Sequence, residues 1–178
     1  MSQETIVEFV YMPEDTIEFS ETEEGHYEVA IAFFQSPSFY ERVMQSPYYV
    51  NLDQELFVQA TLQTSDPDLQ LLVDTCEALP DPQNTTLQTY GLIRQGCVED
   101  TTYQSYPSPS MDVARFSFRA FEFLKEHSSI YLRCKMAVCS VNDPSSFCTQ
   151  GCFSRRKRSL GTPHQEVEVI VGPIQLLQ

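Results

Sequence analysis

From Ile130 onward, apolar residues recur at every second position, Ile130, Leu132, Cys134, Met136 and Val138, with Arg133 and Lys135 among the residues between them. A period of two puts one set of side chains on one face of a β-strand, so this stretch predicts a strand with one face in a core. Tyr27, Val29, Ile31 and Phe33 repeat the pattern, and Leu56, Val58, Ala60 and Leu62 repeat it again. Turn-forming residues close these runs at Ser36-Pro37-Ser38 and Ser65-Asp66-Pro67-Asp68. A further run from Leu69 sets Leu69, Leu71 and Val73 on one face and Leu72 with Cys76 on the other, and Gly91 to Cys97 predicts a short fourth strand. In Val113–Phe123 the apolar phase slips near Ala120-Phe121, which predicts a bulge or a break into two strands. No segment keeps a 3.6-residue apolar period over three turns, and helix is expected only as a turn or two around Pro37–Met44. Short strands separated by turn signals predict an all-β sandwich.

The chain has 178 residues and a formal charge of −14, and 42% of its residues are hydrophobic, enough for one packed domain with flanking segments. Four of the eleven bases stand together as Arg155-Arg156-Lys157-Arg158. The remainder carries seven bases against 25 acids, or −18, a surface that repels nucleic acid and anionic lipid. An even count of six cysteines and the sequon Asn84-Thr85-Thr86, an N-glycosylation site at Asn84, point to an oxidising compartment. The expected location is secreted, or on the extracellular face of a membrane. No apolar run approaches the roughly 20 residues that span a bilayer, and no signal-peptide core follows Met1. The chain is therefore expected to be an excised piece of a longer secreted or membrane-anchored precursor.

Four cysteines, Cys134, Cys139, Cys148 and Cys152, fall within nineteen residues, which raises a Cys₄ zinc site as the competing reading. Cys134 and Cys139 stand five apart on one strand and face opposite sides, which disfavours both a shared ion and a mutual bridge. Many pairings of the six remain open. The tetrabasic cluster reads as a solvated charge run, a heparin patch, a nuclear signal or a site cut by furin-like secretory proteases. Its Arg-x-Lys-Arg form, between Ser154 and Ser159-Leu160-Gly161-Thr162-Pro163, favours cleavage. The run that follows, Val167 to Leu176, reads as the last strand of the core. No catalytic motif is present, and His26, His127 and His164 lack ligand spacing. The expectation is therefore no enzyme, no metal and no cofactor.

The series Ala32-Phe33-Phe34-Gln35-Ser36-Pro37-Ser38-Phe39, Val73-Asp74-Thr75-Cys76, Gln95-Gly96-Cys97, Arg115-Phe116-Ser117-Phe118 and Tyr131-Leu132-Arg133-Cys134 continues with Val138-Cys139, Cys148, Cys152, the tetrabasic site and Val171-Gly172-Pro173-Ile174. In order and spacing it resembles the C-terminal half, ZP-C, of a zona pellucida module. It is most similar to mucosal members of the deleted-in-malignant-brain-tumours and CUB-containing type. The resemblance implies an immunoglobulin-like sandwich with bridges Cys76–Cys134, Cys97–Cys152 and Cys139–Cys148. It also implies an organisation of 1–25 as an interdomain linker, 26–154 as the ZP-C domain, 155–166 as cleavage site and spacer, and 167–178 as an external hydrophobic patch. In that patch Val169, Ile170, Val171, Gly172, Pro173 and Ile174 block assembly, and an internal patch lies at Thr16, Ile17 and Phe19. Cleavage at the basic site then lets ZP modules polymerise with their own kind or with others into filaments or matrix. The implied partners are other ZP modules, a furin-like protease and mucosal or microbial ligands. The alternative function is a monomeric ectodomain that binds a carbohydrate, microbe or protein through the loop Thr102–Met111 with Tyr103 and Tyr106.

Overall fold

A computed structural model describes residues 4–5, 10–11, 17–22, 25–83, 88–142, 148, 152 and 165–177. In chain order the elements are β1 (Glu4–Thr5), β2 (Val10–Tyr11), β3 (Ile17–Thr22), β4 (Gly25–Phe34), β5 (Tyr48–Val50), β6 (Glu55–Gln63) and β7 (Leu69–Leu79). They continue as β8 (Tyr90–Arg94), β9 (Cys97–Val98), β10 (Gln104–Tyr106), β11 (Val113–Arg119), α1 (Phe121–Leu124), β12 (Ser129–Ser140) and β13 (Gln165–Leu176). One sheet runs β1-β3-β4-β6-β11-β10 and the other β2-β13-β12-β7-β8-β9, with β5 also paired to β13. The two face each other as an all-β sandwich, the class that the alternation predicts.

The core is the meeting of the alternating faces. Val29, Ile31 and Phe33, then Leu56, Val58, Ala60 and Leu62, point inward from the first sheet. Ile130, Leu132, Cys134, Met136 and Val138 meet them from the second. Phe116 and Phe118 of β11 join the same layer, and the Tyr103 ring stacks on Phe116 at 5.2 Å between centroids. Burial pushes the Tyr103 hydroxyl pKa well above its ordinary value, so the ring stays neutral at physiological pH.

Four local expectations are corrected. Cys76 shares the core with Leu71 and Val73 instead of facing away, because the pairing of β7 with β12 shifts between Lys135 and Met136. Asp74 is the extra residue of that bulge, and one extra residue inverts the phase of everything after it. Gly91–Cys97 is a hairpin, β8 to β9, turning at Gln95 (φ 53°) and Gly96 (φ 81°); two left-handed residues give the turn whose twist matches the flanking strands. The slip at Ala120-Phe121 marks a helical turn, α1, where Ala120 O accepts from Phe123 N and Leu124 N and the period changes from two to that of a helix. Residues 37–44 carry no helix: Ser36 O accepts from Phe39 N and Phe39 takes φ 53°, which turns the chain back over the first sheet.

That turn explains two residues that alternation alone would leave in water. Phe34 and Phe57 stand on the outer face of the first sheet, where Phe39 covers them together with Ala32 and Tyr106. The Arg115 guanidinium lies 4.7 Å from the Phe39 ring centroid and closes the stack. Truncating Phe39 leaves a cavity and wets two aromatic faces. Phe39→Ala is therefore expected to lower unfolding free energy by about 3 kcal/mol. Denaturant unfolding checks this, and a loss under about 1 kcal/mol would contradict the packing role.

Candidate functional site: the closing strand and its slot

β13 sits in the interior of the second sheet. On one side it pairs antiparallel with β12 from Val138↔Gln165 to Ser129↔Gln175. On the other it pairs parallel with β2, Ile170↔Val10 and Val171↔Tyr11, and with β5, from Ile174↔Tyr48 to Leu176↔Val50. Val167, Val169, Val171 and Ile174 enter the core, and the change of spacing after Val171 reflects Gly172-Pro173. There the partner strand shifts register between Ile130 and Leu132, so three residues of β13 follow Val171 where two of β12 suffice. An interior strand tolerates proline only at such an irregularity, since proline has no N–H for the ladder. Gly172 has φ +149°, and a Cβ there would stand 2.9 Å from Tyr131 Cδ2, 3.2 Å from Tyr131 Cα and 3.3 Å from the Ile130 carbonyl oxygen. No other residue fits that place without moving the backbone of β12.

The outer face of the same three strands is ionic. Arg133 of β12 donates to Glu77 of β7 at 2.6 Å through Nη2 and at 3.2 Å through Nε. Its Nε also lies 3.6 Å from Glu168 of β13, with side chains 15 to 18% exposed across the trio. Two residues on along β12, Lys135 Nζ lies 3.7 Å from Glu166 Oε1. Glu77, Arg133, Lys135 and Glu168 border an open basin of about 480 Å³ that also takes in Arg94 and Gln95. β13 thus meets its slot with valines and isoleucine on the inner face and, on the outer, with two carboxylates followed by the buried Ile170.

The cysteines hold the body around this slot. Cys76 and Cys134 are directly opposed on β7 and β12, fully buried, with Cα atoms 4.1 Å apart and a disulfide between them. A second disulfide joins Cys97 of β9 to Cys152, and a third joins Cys139 to Cys148 against Ala137 and Leu72 on the outer face. The positions expected to block assembly, Val169 to Ile174, lie in β13 and are buried. Ile17 and Phe19 lie in β3, paired with Ala30 and Glu28 of β4. Thr16, the glycosylation site Asn84 and the cleavage site Arg155, Arg156, Lys157 and Arg158 lie outside the described residues.

Tyr103 and Tyr106, singled out for ligand contact, are engaged in packing: Tyr103 on Phe116, and Tyr106 on Phe39 and Phe57 with its hydroxyl donating to Glu55 at 3.2 Å. A cavity of about 350 Å³ opens beside them at the edge of the sandwich opposite β13, lined by Leu71, Ile93, Val98 and Met111 among others. Tyr90 donates to Glu126 at 2.7 Å, and that bond raises the pKa of its hydroxyl, with His127 at 3.5 Å. Among the described residues no group of three or more His, Cys, Asp or Glu is placed to hold a metal ion. The sequence reading missed the ion ladder, β5 and β10. The ladder's signal was the charge set between apolar positions on both strands, Arg133 and Lys135 on one and Glu166 and Glu168 on the other.

Residues 23–149 match the family model for the zona pellucida ZP-C domain. CUB and zona pellucida-like domain-containing protein 1 of Mus musculus is 44% identical over 176 residues, 99% of this chain and 29% of the relative. Its Homo sapiens counterpart is 43% identical over the same span, and uromodulin of Mus musculus is 32% identical over 155 residues, 84% of this chain and 24% of the relative. The chain thus spans less than a third of the length of the curated relatives it matches. The match to the family model over most of the chain, on a disulfide-bonded β-sandwich, shows that the chain belongs to the zona pellucida family and carries its ZP-C domain.

Proposed function

We propose that this ZP-C domain is a non-enzymatic extracellular polymerisation module that assembles into filaments or matrix with other ZP modules. A furin-like protease cuts after Arg158 and releases β13, the strand that blocks assembly. The organisation is the one implied by the family: residues 1–25 link to the preceding half of the module, 26–154 form the domain, 155–166 carry the cut and 167–178 the blocking strand. Thr16, Ile17 and Phe19 supply the internal patch, and Asn84 carries a glycan.

One observation carries this reading. β13 is an interior strand, yet all six cysteines stand at or before Cys152, so no disulfide ties it to the body. A cut after Arg158 leaves it held by hydrogen bonds, burial and the ion ladder alone. Burying Val167, Val169, Ile170, Val171 and Ile174 contributes on the order of 10 kcal/mol as an upper bound. Fixing a dozen backbone residues costs about 1 kcal/mol each, an opposing contribution of the same size, so the ladder hydrogen bonds and the ion pairs decide how firmly the strand is held. Its departure exposes the edge of β12, and an open edge with an apolar face pairs with another strand.

The cavity of about 350 Å³ near Met111 favours a second reading, a monomeric ectodomain that holds a mucosal or microbial ligand there. A binder stays single after cleavage, whereas a polymerisation module loses its tail and grows.

In the full-length protein, Arg158→Ala is expected to leave secretion intact and abolish filaments in electron micrographs; filaments of normal length from this variant would refute the processing step. Ile174→Asp places an unpaired carboxylate in the core and is expected to cost about 4 kcal/mol or more, with retention inside the cell. Secretion of that variant as a stable monomer with unchanged melting would show that β13 is not a structural plug. Gly172→Ala is expected to raise the unfolding rate and loosen β13, read as faster amide exchange in β12 and β13 than in β4 and β6. Uniform protection across both sheets would contradict the close fit at Tyr131.

A further inference from the structure

The slot reads charge as well as shape, and this inference rests on the reading of β13 as a removable plug. Among the described residues, the basin lining holds three cations, Arg94, Arg133 and Lys135, with the carboxylates Glu77 and Glu168, and two more carboxylates pair with those cations, Glu99 with Arg94 and Glu166 with Lys135. The count is three minus four, or −1, with β13 seated. Two of those carboxylates leave with β13, and the count becomes three minus two, or +1. Glu77 stays with Arg133 and Glu99 with Arg94, both on the body, so the charge uncovered is directed at whatever strand comes next. The inner wall left open is apolar, lined by Leu132, Cys134 and Met136. An occupant that fits both walls alternates acid, apolar, acid, apolar.

The chain itself says which segment meets that rule. Its 25 acids include four pairs two positions apart, Glu21/Glu23, Asp53/Glu55, Asp66/Asp68 and Glu166/Glu168. The residue between them is Thr22, Gln54, Pro67 and Val167 respectively, so only the last pair has an apolar residue to turn inward. We propose that Arg133 and Lys135 are specificity-determining residues of the slot, and that its preferred occupant is an acid–apolar–acid strand. By that rule the released β13 segment is a trans-acting ligand that competes with any other strand for the vacated site. Assembly then requires the excised strand to be diluted away or outcompeted, and salt weakens its hold because the selecting contacts are ion pairs near the surface.

The test incubates the protein cut after Arg158 with a synthetic peptide of residues 165–177 and follows tail replacement by native mass spectrometry. The wild-type peptide is expected to displace the native tail. A Glu166→Gln/Glu168→Gln peptide should do so about tenfold less effectively, the difference collapsing at molar salt, where the Debye length is about 3 Å. Lys135 is 43% exposed, so Lys135→Glu is expected to fold, and it should prefer a Glu166→Lys peptide over the wild-type one. Equal exchange of the glutamine and wild-type peptides overturns the charge reading while leaving the plug intact. A native tail that no peptide displaces, at any excess or salt, overturns the plug itself.

Discussion

The pairing of β13 with β12 is the contact on which the rest of this domain depends. It closes the second sheet, covers one side of the core and supplies both partners of the outer ion pairs. Yet it joins the last segment of the described chain to a strand twenty-five residues earlier, across a connection that carries the tetrabasic cluster and no cysteine after Cys152. A structural strand on such a connection can be made conditional by one proteolytic cut. The body keeps its own cross-links, Cys76–Cys134 pinning β7 to β12 and Cys97–Cys152 holding β9, and neither bridge involves β13.

The two faces of β13 divide the work. The inner face gives most of the hold through burial, which is indifferent to partner so long as size and alternation suit. The outer face gives less energy but more discrimination, because a strand lacking carboxylates forgoes the contacts that Glu168 makes with Arg133 and Glu166 with Lys135. Gly172 adds a steric filter, since the slot narrows to van der Waals contact at Tyr131 and admits glycine there. In the proposed assembly by strand exchange, such filters keep the wrong edge from pairing.

The architecture was legible where burial alone decides it. Tyr27–Phe33, Leu56–Leu62 and Ile130–Val138 announce their faces by period two, and each lies in its strand with the apolar set inward. It was illegible where a single residue changes the period. Asp74 bulges and carries Cys76 into the core, Ala120 starts a helical turn, and Phe39 turns back to cover Phe34 and Phe57. None of these has a periodic signature, because each depends on a partner distant in sequence. β5 and β10 are three residues each, too short to show alternation. At the site, the apolar half of β13 was readable from Val167 to Ile174, while Glu77, the anchor of the ladder, lies ninety-one residues from Glu168 and gave no local cue.

The most direct measurement follows the full-length secreted protein during furin treatment, with mass spectrometry on the released segment and electron microscopy on the same samples. The account predicts that the segment after Arg158 is lost and that filaments grow in step with its loss. Cut protein that sheds the segment and remains single, or filaments that grow with the segment still seated, would contradict it.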